Sequence, residues 1–84
     1  MKYVVFIEKG NEVPLIFPEM VQHSRFAHLK PVSAGFCSFS TTKMRMTPNG
    51  SFVPAVSVWG NSVSLGLNSR RQDQDIIEYS QGGM

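Results

Sequence analysis

Acidic side chains are missing from the middle of this chain. Between Glu19 and Asp73 there is no aspartate or glutamate, while Arg25, Lys30, Lys43, Arg45, Arg70 and Arg71 all lie in that interval. The net charge of +2 hides the imbalance, because the acidic residues gather at the two ends. A long acid-free stretch fits an acidic partner. A β-rich core segment with few charges of either sign explains it more simply, and is the preferred reading. Cysteine occurs once, at Cys37, so no intramolecular disulfide can form. Small secreted domains lean on such staples, so a reducing, cytoplasmic setting is expected. Cys37 sits in an alternating apolar segment, where a small buried hydrophobe is expected rather than a reactive thiol. Long hydrophobic runs are missing too. None approaches the ~18–20 residues that span a bilayer, so no membrane partner is expected. The apolar opening ends at Glu8 and Lys9, too early for the core of a signal peptide, and reads as a first strand.

Groupings that carry catalysis are also lacking. His23, His28 and Cys37 are the candidate metal ligands, but a spacing of five does not put two histidines on one helix face. Glu19 and His23 have the i, i+4 relation, yet two ligands make no site. Gly60-Asn61-Ser62-Val63-Ser64 lacks the second glycine of a nucleophile elbow, and a strand rather than a helix is expected after it. No carboxylate between Glu19 and Asp73 could orient a histidine. Gly60 and Gly66 form no phosphate-binding fingerprint, and no Gly-Lys-Ser/Thr triplet occurs. The expectation is a chain that is not an enzyme, with no cofactor and no metal.

What is present is the pattern of a small folded domain. At 84 residues and 42% hydrophobic content the chain is too apolar for disorder, and one domain over 1–84 is expected. A chain this short buries only roughly 60–65% of its unfolded surface, so its stability is marginal or supported by self-association. Lys2–Glu8 and residues 12–17 are β-rich runs around Lys9-Gly10-Asn11, where Gly-Asn would supply the positive φ of a hairpin turn. Pro14 cannot donate a ladder bond and marks an edge or bulge. Residues 18–29 allow one or two helical turns before Pro31, starting at Pro18 or Ser24. Residues 32–40 and 41–47 read as two strands. In the first, Ser33, Ala34 and Gly35 imply that another backbone passes close; in the second, Met44 and Met46 oppose Lys43 and Arg45. Pro48-Asn49-Gly50 is a turn, Phe52–Trp59 a strand, and 62–67 a strand with Val63, Leu65 and Leu67 inward. Ser69 and Gln72 make a capping box for a last helix, stabilised by Asp73 near its start and ended by Gly82-Gly83.

This order predicts an α+β fold, a small mostly antiparallel β-sheet with a short middle helical turn and a C-terminal helix, or else a half-open barrel. Several strands are apolar on both faces, and one short helix cannot cover both. Barrel closure or a second subunit would, which points to a homodimer.

Two kinds of partner are then weighed. Lys43 and Arg45, extended by Arg25, Lys30, Arg70 and Arg71, could contact phosphates, with Phe36, Phe39, Phe52 and Trp59 as stacking rings. The alternation sets most of these rings among aliphatic neighbours, which argues core and ranks nucleic acid second. Trp59, Met44, Met46 and Arg45 are types enriched at the centres of protein interfaces, although methionines in a strand can also be filler. The candidate binding residues are Lys43, Arg45, Trp59, Arg70 and Arg71. Arg70 and Arg71 could equally serve only to solvate the helix start, where positive charge is slightly unfavourable.

The stretch Pro31-Val32-Ser33-Ala34-Gly35-Phe36, followed by Trp59-Gly60-Asn61-Ser62-Val63-Ser64-Leu65-Gly66-Leu67-Asn68-Ser69-Arg70, resembles small uncharacterised proteins encoded by tailed phages and prophages. In that group a VSAGF-like strand precedes a GxSVSLxLxSR stretch and a terminal acidic helix, and the opening KYVVFIE…PLIFP is similar. The resemblance implies context rather than function. Small phage accessory proteins often act in the host cytoplasm by binding a host protein or a phage complex, including as inhibitors of defence systems.

Overall fold

The computed structural model describes residues 1–82. Strands β1 (Lys2–Glu8) and β2 (Asn11–Phe17) form the first hairpin, with Glu8 opposite Asn11. The turn is Lys9-Gly10, at φ 52° and 80°. A two-residue turn with both φ positive has the twist that matches its flanking strands. The left-handed residues therefore fall one position earlier than Gly10-Asn11, because Asn11 already belongs to the ladder.

Val21 N–H donates to Pro18 O at 3.0 Å and closes a turn. A 3₁₀ helix, His23–Leu29, follows and ends at Lys30 (φ 52°), whose N–H bonds Ala27 O. The helical turn expected before Pro31 is thus present, but starts at His23. Strand β3 (Ser33–Met46) runs through both strands expected between 32 and 47. Its pairing with β4 (Phe52–Trp59) shifts register between Phe39 and Met44. There Ser40 Oγ accepts the N–H groups of Thr42 and Lys43 at 3.1 and 2.8 Å, so a bulge forms instead of a break.

The single strand expected over 62–67 is instead a tight hairpin of β5 (Asn61–Ser62) and β6 (Leu67–Asn68). Ser62 Oγ accepts Leu65 N–H at 3.3 Å and Gly66 takes φ 66°, which turns the chain back. Val63 consequently points into solvent, against expectation, while Leu65 and Leu67 pack inward. Helix α1 (Gln72–Gly82) closes the fold. The Ser69–Gln72 capping box does not form: Ser69 Oγ donates to Gly60 O, and the helix start is held instead by Asp73, whose Oδ2 accepts Arg70 N–H at 2.9 Å. Gly83 lies outside the described residues.

The main sheet is antiparallel in the order β2-β1-β3-β4 and is not closed, so the α+β reading holds without the barrel alternative. On one face Tyr3, Val5, Cys37 and Val56 pack with Ile77 of α1. On the other, Val4, Phe17 and Ala34 are covered by Val21 and Phe26 from the 3₁₀ region and by Leu65 and Leu67. Both apolar faces are therefore covered from within the chain, so burial does not call for a second subunit. Segment 59–69 presses on Gly35, where a Cβ would lie 2.6 Å from Trp59 O and 2.9 Å from Ser69 Cβ. This is the close backbone passage that the small residues 33–35 imply.

Candidate interaction surfaces

The ladder of β1 with β3 ends at Phe36, so beyond Phe39 the β3–β4 pair continues as a two-stranded ribbon. Residues directly opposite in an antiparallel pair share a face. Met44 with Pro54 and Met46 with Phe52 therefore lie on one face, and Arg45 with Val53 on the other. Met44, Met46 and Phe52 are 57%, 64% and 68% exposed, whereas Val53 is buried. Lys43 and Arg45 are exposed on the reverse of this apolar plate. The ribbon tip is locked by Thr47, whose N–H donates to Ser51 O at 2.8 Å and whose hydroxyl bonds Asn49.

The five residues singled out as binding candidates do not form one surface. Trp59 and Val53, the partner of Arg45, stand six residues apart on β4, roughly 20 Å. Arg70 is structural. It pairs with Glu12 of β2, three strands away from β4, through Nη1 at 2.9 Å, and its Nε donates to Asp73 Oδ1 at 3.0 Å. Nη2 also lies 2.8 Å from Asp73 Oδ1, but without an aligned hydrogen bond. Asp73 is fully buried and accepts the Tyr3 hydroxyl at 2.6 Å. Burial first, then the adjacent Asp73 carboxylate, pushes the Tyr3 phenol well above its usual range. Burial works against the charge on Arg70, but the bonds from Glu12 and Asp73 outweigh it and raise its pKa. This network ties the start of α1 to β1 and β2, so Arg70 is not free to bind a ligand. Arg71 is exposed beside it.

Trp59 lies on the face opposite α1, next to Phe36 and Lys2 in the same cross-strand row. Its ring is stacked on Phe36 at 6.3 Å and 19°, and Phe36 meets His23 edge-on at 5.8 Å. His23 Nε2 lies 2.9 Å from Gly35 O, and a carbonyl only accepts, so Nε2 carries the hydrogen. A shallow cleft beside this stack, about 420 Å³, is lined by Lys2, Gln22, His23, Phe36, Asn61 and Ser64. Sequence reading singled out Trp59 and Phe36 as rings but did not join Lys2, His23 and Asn61 to them, because these three come from three other elements. Cys37 is buried, as expected for a small hydrophobe, and burial raises its thiol pKa.

The hydrogen-bond phase of the sheet shows where its edges point. Met1 N donates to Cys37 O and Cys37 N to Met1 O, so the polar groups of Cys37 face β1. Polar groups alternate sides along a strand, so Phe36 and Ser38 face β4, and Val56 and Val58 point to the outer edge. The buried Glu78 of α1 agrees with this: its Oε2 accepts Val56 N–H at 2.8 Å. The same alternation turns Pro14 outward on β2 and Pro54 outward on β4.

Among the described residues, no three His, Cys, Asp or Glu side chains gather where they could hold a metal ion. Nor, among the described residues, is any helix long and apolar enough to cross a membrane. Comparison with known proteins finds no matching family model, no matching curated protein and no matching solved structure.

Proposed function

We propose that this chain acts by binding another protein through the β3–β4 ribbon, as a non-enzymatic accessory protein of the phage type. The carrying observation is the exposed plate of Met44, Met46 and Phe52 on an arm only two strands wide. Large exposed apolar groups clustered on a protruding element favour an interface. Lys43 and Arg45 on the reverse side define the partner's chemistry. The ribbon suits a groove with one apolar wall and one acidic wall, in keeping with the acid-free stretch from 20 to 71. The non-enzymatic part rests on how the buried carboxylates are used: Asp73 holds Tyr3 and Arg70, and Glu78 holds Val56, so neither is partnered by a histidine. The resemblance to phage proteins would place this binding in a host cytoplasm, with a host or phage protein as the target.

The test is a matched capture from nuclease-treated host lysate with wild type and the double variant Met46→Ser/Phe52→Ser. Both positions are exposed, so the fold should survive, which far-UV circular dichroism checks. The expected result is a protein retained stoichiometrically by wild type, lost by the double variant, and weakened by added salt or by Arg45→Glu. Equal retention by wild type and the double variant would reject the ribbon as the interface.

A further inference from the structure

We infer that the open half of the sheet face opposite α1 is a site for single-stranded nucleic acid, with Trp59 stacking a base and Lys2 meeting a phosphate. This goes beyond the ribbon-binding proposal and uses a different surface. The apolar plate of the ribbon projects on the α1 side of β4, whereas Trp59, Ser57, Ala55 and Val53 alternate onto the other side.

Four observations converge. Trp59 is 48% exposed, yet its ring runs nearly parallel to that of Phe36, which is in turn braced edge-on by His23. A half-exposed ring held in place loses little conformational entropy on stacking a second flat ring, and any base offers one. Next to it, the cleft presents Lys2, Gln22, Asn61 and Ser64, a set of hydrogen-bond donors with no carboxylate in the lining. Lys2 Nζ gives one hydrogen to Val21 O at 3.1 Å, which leaves two of its three for an anion.

Next to the rings the floor is open and small. Ser38 and Ser57 are cross-strand partners on this face and both are exposed. Rings and a cation at one end, with hydroxyls along the floor, match a backbone that alternates bases and phosphates. A duplex would hide its base faces from Trp59. An acidic peptide would satisfy Lys2 but would leave the exposed indole without a stacking partner.

Trp59 is the only tryptophan, so its fluorescence reports this site alone. The experiment titrates the purified protein with single-stranded oligonucleotides (DNA and RNA, mixed sequence), following Trp59 fluorescence and, separately, the anisotropy of a labelled strand. Quenching on addition of single strands is expected, with affinity falling as salt rises. Trp59→Leu and Ser57→Glu should each weaken labelled-strand binding by about tenfold or more. Ser57→Glu keeps the test independent of folding, since it adds a carboxylate to an exposed floor position without touching the ring stack. Lys2→Gln should lower the slope of log affinity against log salt by about 0.7, the value for one phosphate contact on a single strand. Met46→Ser/Phe52→Ser should leave oligonucleotide binding unchanged, so failure of this site and failure of the ribbon interface are distinguishable. No quenching at low salt, equal binding of duplex, or full displacement by poly-glutamate would each overturn the inference.

Discussion

Ser33 and Gly35 occupy alternate positions on the α1 side of β3, and a methyl group at each should act in opposite directions. Ser33 is fully buried and its hydroxyl has no hydrogen-bond partner. An unpaired buried hydroxyl lowers stability, so Ser33→Ala should gain up to about 1 kcal/mol. Gly35→Ala would drive a Cβ against Trp59 O and Ser69 Cβ, both under 3 Å away, and should lose about 2 kcal/mol through overpacking. At roughly 4–8 °C per kcal/mol for a domain of this size, thermal melts of the two variants should move apart around wild type. A lower melting point for Ser33→Ala would show that the hydroxyl is satisfied in solution. Residue types carried part of the site in the same local way. Trp59, Met44, Met46 and Arg45 were legible as interface types because their chemistry is unusual for an exposed strand. Arg70 was not, since its partner Glu12 lies far away in sequence and only the folded sheet brings the two together.

Local pattern was most informative where an element is stabilised by its own neighbours. The first hairpin was legible because a Gly-Asn turn signal separates two β-rich runs, although the left-handed pair is Lys9-Gly10, and Pro14 correctly marked an edge strand. The bulge at 40–43 and the β5–β6 turn were not, because in both a serine hydroxyl captures nearby backbone N–H groups. Binary alternation has no means of showing that competition. Helix α1 was legible as a helix, but its anchor was not: the Tyr3–Asp73 hydrogen bond joins opposite ends of the chain. That anchor gives α1 a pH dependence. Tyr3 has a pKa raised above its ordinary 10.0, and Cys37 one raised above 9.0, both chiefly by burial. Unfolded, both groups release protons at their ordinary values, so above about pH 9 the unfolded state binds fewer protons than the native state. The stability they contribute is fully present below that range and is lost as pH rises through it. Urea midpoints should therefore fall with rising alkalinity, and Tyr3→Phe should be less stable at neutral pH yet show a shallower alkaline decline. An unchanged alkaline decline in Tyr3→Phe would remove Tyr3 from this role.

At the scale of the molecule, the fold answers the two problems of a small sheet protein in different ways. Its two apolar faces are covered internally, by α1 on one side and by the 3₁₀ region with the β5–β6 hairpin on the other. Its edges are guarded by chemistry instead. Pro14 and Pro54 stand at outward-pointing positions of β2 and β4 and offer no N–H to an incoming strand. Val56 N–H, the next outward donor on β4, is already held by Glu78. The flank of the ribbon along β3 is broken by the bulge and carries Lys43 and Arg45, whose charge opposes pairing with a like strand. A sheet so guarded should meet partners through side chains, on the ribbon plate or the Trp59 face, and not by adding strands. Removing two guards together should expose the alternative. Pro54→Thr/Glu78→Gln restores a donor at position 54 and replaces the charge bound to Val56 N–H with a weaker neutral acceptor, loosening the clasp of α1 on that edge. In sedimentation velocity the double variant should associate progressively as concentration rises, with added β-sheet signal in the infrared, while wild type does not gain strand-paired species. If the double variant sediments as wild type does across the same range, the proline and the carboxylate are not what keeps this edge closed, and the twist of β4 alone must do so.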